Sequence, residues 1–241
     1  MRRLFSLSFV LALAAGSAFV PGGAFADTLA VPPNLIALDS AQGRQLLLSA
    51  DTTAAYFPLS EQFTTQVNQA YCGVASTVMI LNALHMPAPR SAELGELSVF
   101  DQQNVFDDKA EAAVSRDVVE HMGMTLDQLG AFIGAHGLKV EVHHASDSDV
   151  DGFRRDAIAH LGAPDQYILI NFLRSALNEK IGGHISPLAA YNAKADRFLL
   201  LDVSRYKYPP VWVTAQELFA AMNTPDKDNM SRSRGFVDVS R

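Results

Sequence analysis

Val74, Val78 and Leu81, with Ala75, Met79 and Asn82 one position behind them, recur at the spacing of one helix face, and Pro87 and Pro89 stop the pattern. The spacing predicts a helix over residues 70–84 that begins near Cys72. Two more amphipathic helices are expected at 110–122 and 125–136, the latter opened by a Thr125-x-x-Gln128 capping box and closed by Gly137. A fourth covers 150–160. The second half of the chain changes period: residues 139–143, 167–172, 185–191 and 198–203 are short β-branched or aliphatic runs between turn residues, as strands are. Helices first and strands later describe an α+β domain.

The longest apolar stretch stands apart from this pattern. Arg2 and Arg3 lead residues 4–20, and Pro21-Gly22-Gly23 and Ala24-Phe25-Ala26 follow, as in a secretory signal with an A-x-A cleavage site. An anchoring helix is the competing reading, but Ser6, Ser8, Gly16, Ser17 and the Pro-Gly-Gly run interrupt it. Cleavage after Ala26 is therefore expected, with an exported, periplasmic protein and no membrane attachment afterwards. The remaining residues 27–241 carry no repeat, linker or charge run and are expected to form one domain.

Composition excludes some classes. With 49% hydrophobic and 19% charged residues the chain is neither disordered nor fibrous. Its net charge of -7 becomes -9 once Arg2 and Arg3 are lost, which with no basic cluster argues against nucleic acid. A single cysteine, Cys72, rules out an intrachain disulfide and a multi-thiolate metal site.

Cys72 can be a small buried hydrophobe or a nucleophile. Its place at a helix start favours the thiolate, through the dipole and free N–H groups there, and Gly73 after it would let a substrate carbonyl approach the backbone. Of seven histidines, His143 and His144 would point to opposite faces of a strand and read as surface residues, while His85, His121, His136 and His160 fall near helix ends. His184, after Gly182-Gly183 and opening a strand, stands out. A hairpin centred near residue 194 brings its neighbourhood opposite that of Asp202, an acid in the apolar run Leu199–Val203. Asp202 then either partners the imidazole or ends its strand in solvent.

Gln66-x5-Cys72, then His184 and Asp202 in that order, resembles the papain-type layout. Ala70-Tyr71-Cys72-Gly73-Val74-Ala75, Gly183-His184-Ile185-Ser186-Pro187-Leu188 and Leu201-Asp202-Val203-Ser204-Arg205-Tyr206-Lys207-Tyr208-Pro209-Pro210-Val211-Trp212-Val213 resemble the phytochelatin synthase family more narrowly. The resemblance runs from about Tyr56 to Phe236 and implies a papain-like α+β fold, a helical part followed by an antiparallel sheet. It implies a glutathione γ-glutamylcysteinyl hydrolase or transferase that releases glycine, with hydrolysis ahead of phytochelatin synthesis. The implied roles are Cys72 as nucleophile, His184 as general base and acid, Asp202 as imidazole orienter and Gln66 as oxyanion donor. Arg174, Arg234, Gly183 and Tyr208 match substrate-contact positions. Leu188-Ala189-Ala190 departs from the usual Ile-Gly-Gly. No cofactor is required, heavy-metal ions enter as a metal-glutathione substrate complex, and a homodimer is allowed.

Other sites fail on inspection. Asp147-Ser148-Asp149-Val150-Asp151-Gly152 imitates an EF-hand opening but has Ile158 at the twelfth position, so a solvated turn before a helix is expected. Ser186 lacks a G-x-S-x-G elbow, and Ser231–Arg234 is too short to bind a polyanion. The alternatives to the glutathione enzyme are an exported papain-like peptidase of other specificity and a non-catalytic binder of thiols or metal-peptides.

Overall fold

The computed structural model describes residues 28–180 and 182–241. The expected signal segment lies outside them. Among the described residues no helix is long and apolar enough to cross a membrane.

The first part is helical: α1 (Ala41–Leu48), α2 (Tyr56–Glu61), α3 (Cys72–Ala83), α4 (Asp108–Ala113), α5 (Arg116–Met122) and α6 (Leu126–Ala135), preceded by a two-residue strand, β1 (Ile36–Ala37). The second part supplies β2 (Lys139–His144), β3 (Gln166–Leu173), β4 (Gly183–Asn192), β5 (Arg197–Leu200), β6 (Val211–Thr214) and β7 (Gly235–Ser240). Two more helices, α7 (Val150–Gly162) and α8 (Ala215–Met222), interleave with these strands. The strands form one seven-stranded sheet in the order β1-β6-β5-β4-β3-β7-β2, with every recorded pairing antiparallel. The α+β expectation holds.

Helix α3 is buried on all sides except at Asn82, so the apolar face read from the sequence is a helix enclosed by its neighbours. It lies against β4, where Ser76 Oγ donates to the Ile185 carbonyl. Gly73 sits in this contact. A Cβ there would come within 3.1 Å of Met124 Sδ and 3.3 Å of Ile185 Cδ1, so the glycine also serves the close packing of α3 against its neighbours.

Two expectations about elements are corrected. The single helix at 110–122 is two, because Val114 is extended and Ser115 caps α5 by accepting from Val118 N. The strand expected over 198–203 ends at Leu200. The capping box is present in full: Gln128 N donates to Thr125 Oγ1 and Thr125 N to Gln128 Oε1. Asp149 likewise caps α7 by accepting from Gly152 N, as expected of the acidic turn.

The β4–β5 hairpin pairs Asn192 with Arg197 and Tyr191 with Phe198, so its turn is centred where the sequence places it. A β-bulge follows: Ala190 pairs with Leu199 but Leu188 with Leu200, leaving Ala189 as an extra residue. Leu188, Ala189 and Ala190 are fully buried in this bulge, away from the cleft described below, so their departure from Ile-Gly-Gly bears on packing.

His143 and His144 are not surface residues. His144 is buried, with Nδ1 2.5 Å from the Ser233 carbonyl and Nε2 2.9 Å from Asp127 Oδ1. His143 is half-buried, stacked on Phe236 and 3.0 Å from Asp238. The reason is long-range: helix α6 and the segment 226–234 cover one face of β2 and α7 approaches the other, which a strand's own alternation does not reveal.

Candidate active site

Cys72 is the first residue of α3, and its backbone N–H has no intrahelical acceptor. Its thiol lies beside the His184 ring at the start of β4, close enough for each group to shift the ionisation of the other. His184 Nε2 lies 2.8 Å from Asp202 Oδ1 and 2.9 Å from Ser186 Oγ, which leaves Nδ1 for the thiol. All three groups are buried. Asp202 does not end its strand in solvent.

The hairpin alone does not make this contact. Strictly extended, the ladder of Asn192 with Arg197 and Tyr191 with Phe198 would set His184 across from Arg205. The chain instead leaves the strand after Leu200, and the N–H of Leu201 still donates to the Pro187 carbonyl. Val203 N then donates to Ser186 Oγ and Ser204 N to Asp202 Oδ1, turning the carboxylate back onto the imidazole.

Burial by itself would push the Cys72 thiol up, but the hydrogen bond and charge of His184, the backbone of Ile185 and the Arg174 charge outweigh it and hold the thiol below its ordinary value. For His184 burial works downward. The charge and hydrogen bond of Asp202 overcome both that and the repulsion of Arg174, and His184 ends above the usual imidazole value. Burial also opposes ionisation of Asp202, yet His184 and Arg174 hold its carboxyl well below the usual carboxylate range. A lowered thiol beside a raised imidazole favours a thiolate–imidazolium pair, a nucleophile with its proton donor already in place.

The pair opens onto a cleft lined among others by Gln69, Asn171, Gly183, Asp226, Asp228 and Arg234. Arg234 is 8% exposed, donates from Nη2 to Asp226 Oδ1 at 3.2 Å and from Nη1 to the Pro225 carbonyl at 2.5 Å, and keeps Nε without a partner. Gly183 lies beside that guanidinium; a Cβ on it would contact Nη2 and Nε. Both residues line the cleft.

Gln66 is buried, and its Nε2 donates to the Asn68 carbonyl at 2.7 Å and to Tyr206 Oη at 3.1 Å, while Oε1 has no partner. Both amide hydrogens are engaged, so donation to an oxyanion requires exchange of one bond, the Tyr206 one being the longer. Arg174 and Tyr208 do not line the cleft. Arg174 binds Asp202 from behind, Nη2 to Oδ1 at 3.0 Å and Nη1 to Oδ2 at 2.8 Å, and Tyr208 Oη accepts from Lys180 N. Their expected substrate contact is not made here, because the β3–β4 turn carries Arg174 to the far side of Asp202.

Several members of the site escape a reading of the sequence. Ser186 stands in the His184 motif and otherwise reads as a failed serine nucleophile, with no local sign that its hydroxyl sits 2.9 Å from His184 Nε2. Asp226 and Asp228 look like ordinary loop acids. Glu179, in the turn sequence Asn178-Glu179-Lys180, carries no local sign of burial, yet its side chain is fully enclosed.

The model of the phytochelatin synthase family matches residues 26–236. Among curated proteins the chain is similar to glutathione gamma-glutamylcysteinyltransferase 1 of Lotus japonicus, 33% identical over 91% of this chain and 43% of that protein. It is similar also to glutathione gamma-glutamylcysteinyltransferase 1 of Arabidopsis thaliana, 32% identical over 87% of this chain and 42% of that one. The protein named glutathione gamma-glutamylcysteinyltransferase of Schizosaccharomyces pombe is 30% identical over 86% and 49%. The chain spans less than half the length of each of these relatives.

Proposed function

The chain belongs to the phytochelatin synthase family, and from that membership and the geometry of the cleft we propose that it is a glutathione γ-glutamylcysteinyl hydrolase or transferase working through a Cys72 thioester. The observation that carries the proposal is the buried Cys72–His184–Asp202 chain, with a lowered thiol and a raised imidazole, at the edge of a cleft bearing Arg234.

The Cys72 thiolate attacks the carbonyl carbon of the Cys–Gly bond, and the Cys72 backbone N–H, with a Gln66 amide hydrogen released from Tyr206, holds the oxyanion. The imidazolium gives its proton to the glycine nitrogen as the C–N bond breaks, and glycine leaves. His184 then takes a proton from water, whose oxygen attacks the thioester and frees γ-glutamylcysteine and Cys72. An amine of a second glutathione in place of water gives chain extension.

Arg234 and the aspartates suit the γ-glutamyl end, which carries both a carboxylate and an ammonium group. The carboxylate would pair with the Arg234 guanidinium, whose Nε is enclosed without a partner until substrate reaches it, and Asp226 and Asp228 would face the ammonium. This cleft has one arginine for a substrate with two carboxylates, and a second glutathione would bring two more. We therefore place hydrolysis ahead of transfer.

The reaction as proposed needs no protein-bound metal. Soft ions prefer thiolates, and the sequence offers only Cys72 besides those of the substrate. Metal would thus act as a metal-glutathione complex or as an inhibitor on Cys72. We also place the working protein in the periplasm, on the pattern of residues 1–26 alone.

Mass spectrometry of products from the purified protein with glutathione, with and without cadmium, tests the proposal. Glycine and γ-glutamylcysteine are expected from the parent and not from Cys72→Ser. Cleavage of an α-linked peptide without cleavage of glutathione would support the peptidase instead, and a protein that cleaves neither would support the binder.

A further inference from the structure

Behind the cleft lies a charged pair with no opening onto it. Arg174, on the turn leaving β3, is 3% exposed, and Glu179, five residues on, is enclosed completely at its side chain. Arg174 Nη1 is shared between two carboxylates, 2.5 Å from Glu179 Oε2 and 2.8 Å from Asp202 Oδ2, while Nη2 reaches Asp202 Oδ1 at 3.0 Å. The guanidinium lies over the Tyr208 ring, 5.3 Å from its centroid, and 5.9 Å from that of Phe172.

We propose that Arg174 and Glu179 are positioning residues for the Cys72–His184 pair, Arg174 locking the Asp202 carboxylate toward His184 and Glu179 offsetting the Arg174 charge so that the imidazolium can form. The proposal rests on Cys72 and His184 being the reacting pair argued above.

Three observations carry it. First, Arg174 holds Asp202 on the side away from the imidazole, with a hydrogen bond from Nη2 to Oδ1 and the charge of Nη1 2.8 Å from Oδ2, so the carboxylate is not left to rotate on its bond to His184 alone. Second, an arginine this close to a buried imidazole opposes its protonation, and a second carboxylate on the arginine relieves that opposition. Third, among the described residues Glu179 has no side-chain partner except Arg174, and its Oε1 bonds nothing. Burying a carboxylate for one partner is costly, and an apolar residue would fill the space more cheaply were packing the only need. Burial holds the Glu179 carboxyl above its ordinary value against the pull of Arg174. The charged groups facing the reacting pair are Asp202, Arg174 and Glu179 from the interior and Asp226, Asp228 and Arg234 across the cleft.

Because Cys72 is the sole cysteine, its alkylation by iodoacetamide as a function of pH reads the ionisation of thiol and imidazole without glutathione. Glu179→Gln keeps the shape and an acceptor for Arg174 but removes a negative charge, which eases loss of a proton from both groups. Both steps of the profile should move to lower pH by about one unit, a tenfold change in ionised fraction. Glu179→Asp keeps the charge and should restore the parent profile. An unmoved profile in folded Glu179→Gln overturns the proposal. Should that variant fail to fold by circular dichroism, carbon NMR of the Glu179 carboxyl in the parent decides: ionised at pH 7 is expected, and protonated there overturns it. A parent that alkylates with this profile but releases no glycine from glutathione would sink the proposed function and leave the positioning pair standing.

Discussion

Asp202→Asn removes one charge and almost no volume, and its effect can be worked from the geometry. The carboxylate oxygen lies 2.8 Å from His184 Nε2, which puts the charge centres about 4 Å apart. At an effective dielectric of about 20 that separation corresponds to roughly 4 kcal/mol of imidazolium stabilisation. Such a loss would lower the imidazole by about three pK units and the thiolate–imidazolium population by up to ~10³. The amide adds a second conflict. Its NH2 group must face either Arg174 Nη1, now 2.8 Å from Oδ2, or the donors gathered on Oδ1, and in both places a donor meets a donor. Asp202 does not line the cleft, so substrate binding should be spared. Glycine release from glutathione, followed at several substrate concentrations, should therefore show kcat down by ~10³ with KM within a few-fold. Circular dichroism confirms folding, and Cys72 should lose its low-pH reactivity to alkylation, because a drop this large makes the imidazole give up its proton before the thiol and leaves no imidazolium to hold the thiolate. A folded variant turning over within tenfold of the parent, its alkylation profile unmoved, would refute the reasoning.

Three further outcomes are expected. Gln66→Ala should lower kcat about 10²-fold, the usual cost of one oxyanion donor, and an unchanged kcat would remove Gln66 from that role. Arg234→Gln should act mainly on KM, raising it about 10²-fold as a charged clamp is lost; a purely kcat effect in steady-state kinetics would place Arg234 elsewhere. The site should also shape stability against pH. Asp202 is held well below its ordinary value, so its contribution is complete above about pH 4 and is lost as the pH falls further. His184 is held above its ordinary value, so its contribution is complete below about pH 6.5 and is lost as the pH rises through the raised value. Thermal melts from pH 3 to 9 should peak between these limits, and a parent with the same Tm at pH 3 and pH 6 would contradict the assignment.

What the sequence reveals here is mostly what neighbouring residues decide among themselves. The Thr125–Gln128 capping box, the Asp149 cap, the start of α3 at Cys72 and the centre of the β4–β5 turn depend on spacings of a few residues, and each is found where the pattern puts it. The capping preference of Ser115 was as local, but the apolar periodicity on both sides of it masked the break between α4 and α5. Longer-range facts were hidden. His144 is enclosed by residues near Asp127 and Ser233, and Glu179 is buried only because Arg174 and Asp202 meet there. Strand β7 lies at the centre of the pairing of β2 with β3 although it comes last in the chain, so no hairpin pattern announces it. The family resemblance points Arg174 at substrate; it does bind a carboxylate, but one supplied by the protein itself.

The extra residue at Ala189 has a consequence for how this family member can vary. Across a regular strand, positions two apart share a face, but here Leu188 and Ala190 pair with adjacent residues of β5 and so face opposite sides. The bulge acts as a parity change between the hairpin and the stretch Gly183–Leu188 that carries His184 and Ser186. Deleting one residue there would keep the hairpin and its turn while rotating the imidazole to the other side of the sheet from α3 and Cys72. Insertions and deletions should therefore be unevenly tolerated along this chain: open to change at the turn 193–196, and closed between that turn and His184, where a single codon decides which side of the sheet holds the chemistry.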